Sequence, residues 1–237
     1  AAHGLGGSYA CGAKIGSCKY SDCTVFSLHP VKSIAAGEGG IITTNDEGIY
    51  KALLRLRSHG INKNDDPFIN IENAYTKGEA NHWYYEMTTL GYHYRITDIQ
   101  TSLANSQLNK LDDFVAHRRD FAHRYVDWLD QQQHVTRAQQ VGIDHSANHL
   151  FTVAIDFDAI GKTRNDVMKA LFSKNIITQV HYIPVVNQPY YIDQGINPKN
   201  FPHSQAYYQS VLSVPLYFSL SDDDFEHVLD NITRVIQ

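Results

Sequence analysis

The sequence is poor in cysteine: three in 237 residues, Cys11, Cys18 and Cys23. An odd count is not a disulfide framework, and the spacings fit no zinc-ligand pattern. The thiols read as reduced, which suits a cytoplasmic protein. Long apolar runs are also missing, so nothing in the sequence reads as a bilayer-spanning helix. The first residues carry no secretory-leader pattern. A strong excess of one charge is absent too, and a net charge of −5 argues against a general nucleic-acid or polyanion-binding role. Internal repeats and low-complexity tracts are absent. A metal site built from histidines has no support in spacing: His117 and His123 are six apart and do not share a helix face.

What is present is ordinary globular composition with an excess of histidine (13) and tyrosine (15), residues that suit a polar, hydrogen-bonding ligand. The length allows one large or two small domains. Residues 4–20, rich in glycine and small side chains, read as loop. Thr24–Leu28 and Ile41–Thr44 read as short strands around a Pro/Gly-punctuated turn from His29 to Gly40. Glu47–Arg57 carries apolar residues at helical spacing, whereas residues 61–91 show no clean period and read as a long loop. Thr97 and Gln100 form a capping box that opens a helix of about 35 residues, long enough to bend or break and to link two domains. Its apolar stripe runs through Ile99, Leu103, Ala104, Leu108, Leu111, Phe114 and Val115 to Leu129. Beyond it, strands are expected at His149–Ile155 and Ile176–Tyr182, and helices at Thr163–Lys174, Pro202–Val211 and from Ser221 onward. Asp222, Asp223 and Asp224 sit where the last helix dipole favours negative charge. These elements make a small α/β layer.

The densest chemical signal is Phe26-Ser27-Leu28-His29-Pro30-Val31-Lys32, followed by Gly37-Glu38-Gly39-Gly40. A lysine at the end of a strand, on a Pro-stiffened turn, is held in one place, as an amine nucleophile requires. Glycines let backbone approach a planar ligand closely. A solvated lysine beside a hairpin turn shows the same local pattern. Three further stretches stand in order along the chain: Ala1-Ala2-His3 with Gly6-Gly7-Ser8-Tyr9, Arg57-Ser58-His59-Gly60, and Leu90-Gly91-Tyr92-His93-Tyr94-Arg95-Ile96-Thr97-Asp98-Ile99-Gln100.

Together these motifs resemble those of the DegT-type sugar aminotransferases, a branch of the fold-type I enzymes that use pyridoxal 5′-phosphate (PLP). The resemblance covers essentially the whole chain. It implies an α/β fold: the end of a large mixed-sheet PLP-binding domain over residues 1–98, a linking helix over 99–134 and a small C-terminal α/β domain over 135–237. It implies PLP held as a Schiff base on Lys32, which also acts as the acid–base group. Ser27 would donate to the cofactor phosphate and His3 would lie near the oxygen-bearing edge of the ring. His93 stands where the family often has Asn reaching the neighbouring subunit's cofactor, and a histidine retains one donor for that role. Arg95 would pair a carboxylate or phosphate, while His181 and Tyr182 would face the sugar nucleotide. Trp83, Tyr84 and Tyr85 are either a stacking surface or loop anchors, and Glu38 is expected to fix the glycine turn.

Within the family, Gln179-Val180-His181-Tyr182-Ile183-Pro184 is most similar to the pseudaminic-acid pathway enzymes. These move an amino group from glutamate to C4 of a UDP-linked 4-keto-6-deoxy-N-acetyl sugar, and the family implies a homodimer with shared sites. Another nucleotide-linked ketosugar is the alternative substrate. A non-catalytic PLP-binding or regulatory role is the alternative class, which retention of Lys32 disfavours. Family members are longer. The sequence therefore reads as cut just after the expected aspartate partner of the pyridine nitrogen, and this stretch alone is expected to bind PLP poorly and to be inactive.

Overall fold

The computed structural model describes residues 1–63, 65–139 and 142–237. The chain divides into two compact units, one of residues 1–5 and 13–109, the other of residues 6–12 and 110–237.

In the first unit, β1 (Cys23–Ser27) pairs antiparallel with β2 (Gly40–Thr44), with Val25 opposite Ile42. Thr24 and Phe26 are buried and Val25 is exposed, the alternation of a ribbon packed on one face. Helix α1 (Glu47–Leu56) starts at Asp46, whose carboxylate accepts the Ile49 N–H. Residues 61–91, expected to be a long loop, are more ordered than their sequence suggests. They form β3 (Ile61–Asn62), α2 (Ile71–Ala74), β4 (Tyr75–Thr76), β5 (Glu79–Ala80) and β6 (Glu86–Met87), with β3 pairing β6 and β4 pairing β5. Side chains do the work that long strands do elsewhere. Glu86 accepts the backbone N–H groups of Ile69 (2.6 Å) and Asn70 (3.1 Å) and the Tyr84 hydroxyl (3.1 Å). Buried Phe68 meets Tyr84 edge to face at 5.0 Å. Tyr84 is therefore a loop anchor, and Trp83 and Tyr85 point outward.

The expected linking helix is two helices. The first, α3 (Asp98–Leu108), begins with the Thr97–Gln100 capping box, and α4 (Leu111–Leu129) follows after a break at Asn109 and Lys110. The apolar stripe is buried along α4 but not along α3, where Ala104 alone is buried and Ile99 is 84% exposed. Apolar spacing foretold the helix and overstated its cover.

In the second unit, β7 (Val135–Arg137), β8 (Phe151–Ile155) and β9 (Val211–Val214) form an antiparallel sheet in the order β7-β8-β9. Helix α5 (Arg164–Phe172) packs against α8 (Asp222–Ile236), α4 against β7, and α7 (Pro202–Ser210) against β8; α6 (Pro189–Asp193) is a single turn. The core joins Phe121, Tyr125 and Trp128 of α4, the inward side chains of β8, and Phe225, Val228 and Ile232 of α8. Ser221 caps α8 by accepting the Asp224 N–H. Strand β8 starts at Phe151, two residues later than expected, because Asn148 is left-handed (φ 46°) and its amide donates to Ile143 O at 2.9 Å. The expected strand Ile176–Tyr182 is absent. Its alternation is real, since Ile176 and Thr178 are buried and Ile177 is exposed, but a single bridge joins Gln179 to Ser213. Arg118 is buried and donates to the carbonyls of Asn148, His149 and Leu216, which ties these turns to α4; burial holds its guanidinium below the ordinary arginine value.

The two backbone N–H groups and the Tyr84 hydroxyl hold the Glu86 carboxyl below its ordinary value, the Ile69 N–H contributing most. A carboxylate lowered on folding stabilises the fold above its unfolded value, and that stabilisation is lost as pH falls through the lowered value. Acidification should therefore untie residues 61–91 before global unfolding. Trp83 fluorescence should report the step, and Glu86→Gln should abolish its pH dependence.

Candidate active site

Lys32 lies in a loop with little backbone freedom. Leu28, 1% exposed, uses both of its backbone groups there: its N–H donates to Gly39 O and its C=O accepts from Ala36 N–H, each at 2.9 Å. Ile34 and Ala36 are buried, so the loop is anchored by side chains on its return path. Lys32 N–H closes a turn onto His29 O at 2.9 Å. Gln100 on α3 donates to Glu38 O at 2.9 Å, and the Glu38 carboxylate lies 3.7 Å from His29 Nε2. The turn is thus braced at Glu38 through its backbone carbonyl. Gly39 has φ +142°, and a Cβ there would meet Ile96 Cδ1 at 2.8 Å. Only glycine fits this position.

At the head of the loop, Lys32 Nζ lies 2.8 Å from His3 Nε2, in a half-buried setting. The pair places an amine beside a ring nitrogen able to take or return its proton. Ser27, at the end of β1, accepts the His29 N–H at 3.3 Å, so its own hydroxyl proton is left to donate.

The second motif group in this unit is built by two stretches that the sequence shows separately. Residues 57–60 and 88–94 run side by side: His59 N–H donates to Tyr92 O, Tyr94 N–H to Arg57 O, and Thr88 N–H to Gly60 O. Gly60 (φ +70°) and Gly91 face one another, and a Cβ on Gly60 would sit 1.8 Å from Thr89 O. This pairing places His93 edge to face with His59 at 5.3 Å and 3.0 Å from Arg95 Nη2. A guanidinium only donates, so His93 Nε2 accepts and its proton resides on Nδ1. Arg95, expected on a carboxylate or phosphate, is bound to His93 in this structure because the two side chains sit two residues apart on one exposed edge.

His181 and Tyr182 belong to the second unit. His181 Nδ1 lies 2.7 Å from Ser213 Oγ, its carbonyl accepts the Tyr207 hydroxyl at 3.3 Å, and Tyr182 meets its ring edge to face at 4.6 Å. Tyr182 is exposed. The structure thus joins Lys32 with His3, His93 with Arg95, and His181 with Tyr182. Sequence reasoning assigned no role to His59, to Gln100 as a loop brace, or to Ser213. His59 stood within a quoted motif and Gln100 within the Thr97–Gln100 capping box, while Ser213 carried no signal.

The chain matches the DegT/DnrJ/EryC1/StrS aminotransferase family over residues 1–233. It belongs to that family. Among its relatives, the Bacillus subtilis spore coat polysaccharide biosynthesis protein SpsC is 35% identical over 218 residues, 91% of this chain and 54% of SpsC. The Campylobacter jejuni UDP-4-amino-4,6-dideoxy-N-acetyl-beta-L-altrosamine transaminase is 27% identical over 237 residues, all of this chain and 57% of that protein. The putative sugar aminotransferase Spr1654 of Streptococcus pneumoniae in its PLP form superposes with a TM-score of 0.82 at 26% identity, covering 100% of this chain and 56% of that one. The chain therefore spans about half the length of the curated relatives it matches. Family membership fixes the fold as that of the PLP-dependent sugar aminotransferases, of which both units are α/β portions. Among the described residues, no helix is long and apolar enough to cross a membrane.

Gly60→Ala must overlap Thr89 O and adopt a left-handed backbone, so it should cost well over about 2 kcal/mol in urea unfolding. Gly78→Ala shares the positive φ (+85°) but points into open space. It should cost about 1 kcal/mol.

Proposed function

We propose that this protein is a PLP-dependent aminotransferase that moves an amino group from glutamate to C4 of a UDP-linked 4-keto-6-deoxy-N-acetyl sugar. The observation that carries the reading is the Lys32 amine held 2.8 Å from His3 at the head of a braced loop. The residues fit the cofactor. The lysine amine suits an aldehyde, and Ser27 keeps a hydroxyl proton for a phosphate. PLP, when bound, supplies the electron sink for bond breaking at the amino-acid Cα.

The chain's own residues do the rest. Lys32 would hold the cofactor, and its amine would carry a proton to and from the reacting carbon. One group in both roles makes that transfer intramolecular. His3 orients the amine and would lie beside the cofactor ring. His93 offers its Nδ1–H as a donor, and Arg95 sets that tautomer and adds positive charge for a phosphate or carboxylate. His181 and Tyr182 meet the sugar nucleotide. A homodimer is the proposed assembly, and the exposed apolar side chains Ile99, Leu103 and Leu108 on α3 support it.

A second substrate reading has its own support, because SpsC, the spore coat polysaccharide protein, is more similar to this chain than the altrosamine transaminase is. On that reading the acceptor is a different nucleotide-linked ketosugar. Assays with UDP- and dTDP-linked ketosugars separate the two. The shared mechanism is tested by Lys32→Ala in the whole protein. The visible absorbance of lysine-bound cofactor should vanish and turnover should fall by about a thousandfold or more. Retention of both would remove the basis of the proposal.

A further inference from the structure

The turn that carries Lys32 is closed twice onto one residue. Lys32 N–H donates to His29 O at 2.9 Å, and Val31 N–H donates to His29 Nδ1 at 3.3 Å. Pro30 lies between them; it has no N–H, and its ring fixes φ as the second position of such a turn requires. A backbone amide can only donate, so Nδ1 accepts, and the neutral ring carries its proton on Nε2. An acceptor one atom beyond Cγ, bonded to the amide two residues on, is the arrangement that Asn and Asp make in an Asx turn. In this loop an imidazole takes their place.

The exchange has a consequence, because an Asn cannot titrate and an imidazole can. A protonated ring has two donors and no acceptor, so Nδ1–H and Val31 N–H would face each other and the bond would be lost. Glu38 faces the ring from the return limb of the loop, its carboxylate 3.7 Å from Nε2, and draws the charged ring toward itself. Lys32, with His3 at its amine, follows three residues on along the same turn. We infer that His29 is a positioning residue whose unprotonated ring holds the Val31–Lys32 turn, so that the placement of the Lys32 amine loosens as that ring takes up a proton. The inference rests on the proposed role of Lys32 and adds a regulation of the same site: an acid-sensitive brace three residues before the amine.

The test compares wild type, His29→Leu and His29→Asn in the whole protein. Leucine has no acceptor, whereas asparagine keeps one at the same reach and does not titrate. Without added cofactor, long-range proton–nitrogen spectra, assigned with His29→Asn, should show the neutral His29 ring with its proton on Nε2. The Val31 amide should exchange roughly fivefold faster in His29→Leu, the loss of about one hydrogen bond. As pH falls through the titration of His29, followed on its own ring signals, Val31 exchange in wild type should rise relative to His29→Asn at the same pH. With PLP bound, His29→Leu should lower kcat for the glutamate half-reaction roughly tenfold with little change in KM. His29→Asn should restore kcat and remove the acid limb that follows the His29 titration. A neutral wild-type ring protonated on Nδ1 overturns the inference, as does Val31 exchange that is equal in wild type and His29→Leu, or an acid limb that persists unchanged in His29→Asn. Should His29→Leu fail to fold, the wild-type tautomer and the comparison with His29→Asn decide. A protein that shows the Val31 bond and its loss in acid, yet binds no PLP at Lys32, supports the brace while sinking the functional reading, so the two failures are distinct.

Discussion

The amine of Lys32 stays beside the imidazole of His3 because the loop beneath it cannot relax, and the candidate site depends on that restraint. One hydrogen bond between the two side chains contributes about 1 kcal/mol. Ordering a lysine side chain costs about 1.5–2 kcal/mol of rotamer freedom. The contact at 2.8 Å therefore does not hold itself. What holds it is the backbone: both polar groups of Leu28 are committed across the loop, Ile34 and Ala36 are buried on its far side, and α3 braces it through Gln100. The restraint is spread over groups that never touch the amine.

That distribution explains which parts were legible in the sequence. The lysine loop announced itself because its determinants are local: a strand, a proline and closely spaced glycines within a few residues. The starts of α3 and α8 were equally plain, since the caps at Thr97 and Ser221 each involve a side chain and a backbone group three residues on. Residues 61–91 were opaque because their order comes from Glu86 reaching back to Ile69 and Asn70, a contact with no period. The Ile176–Tyr182 stretch was read as a strand, and of that reading only the alternation of burial holds. Burial alternates with side-chain direction, whereas strand identity needs a ladder of backbone bonds, and only Gln179 supplies a bridge. Ser213 left no local mark, because its partner is 32 positions away.

The two glycine-bearing motifs show the same limit from another side. Arg57-Ser58-His59-Gly60 and the stretch from Gly91 to Arg95 look like independent signatures in the sequence. In the fold each is the other's reason: Gly60 and Gly91 are small because their backbones meet, and that meeting brings His59, His93 and Arg95 together. Arg95 then sets the protonation of His93 by chemistry alone, since a guanidinium has no acceptor to offer. The motif order was visible, but the physical pairing that gives it meaning was not.

The two units differ in how far they cover their own apolar surface. The second closes a core from three helices and a sheet, with Phe151, Phe225 and Ile232 fully buried. In the first, the β1–β2 ribbon exposes Val25 and Ile42, and α3 exposes most of its stripe. A two-stranded ribbon is marginal in water unless something packs on it, and apolar side chains grouped this way mark surfaces that meet other protein. The lysine loop joins those two strands, and Gln100 of that helix braces it. The ribbon and α3, which leave apolar side chains exposed, are thus the same elements that hold the loop beneath Lys32. In the proposed homodimer, subunit contact and placement of the reactive amine would be the same physical event.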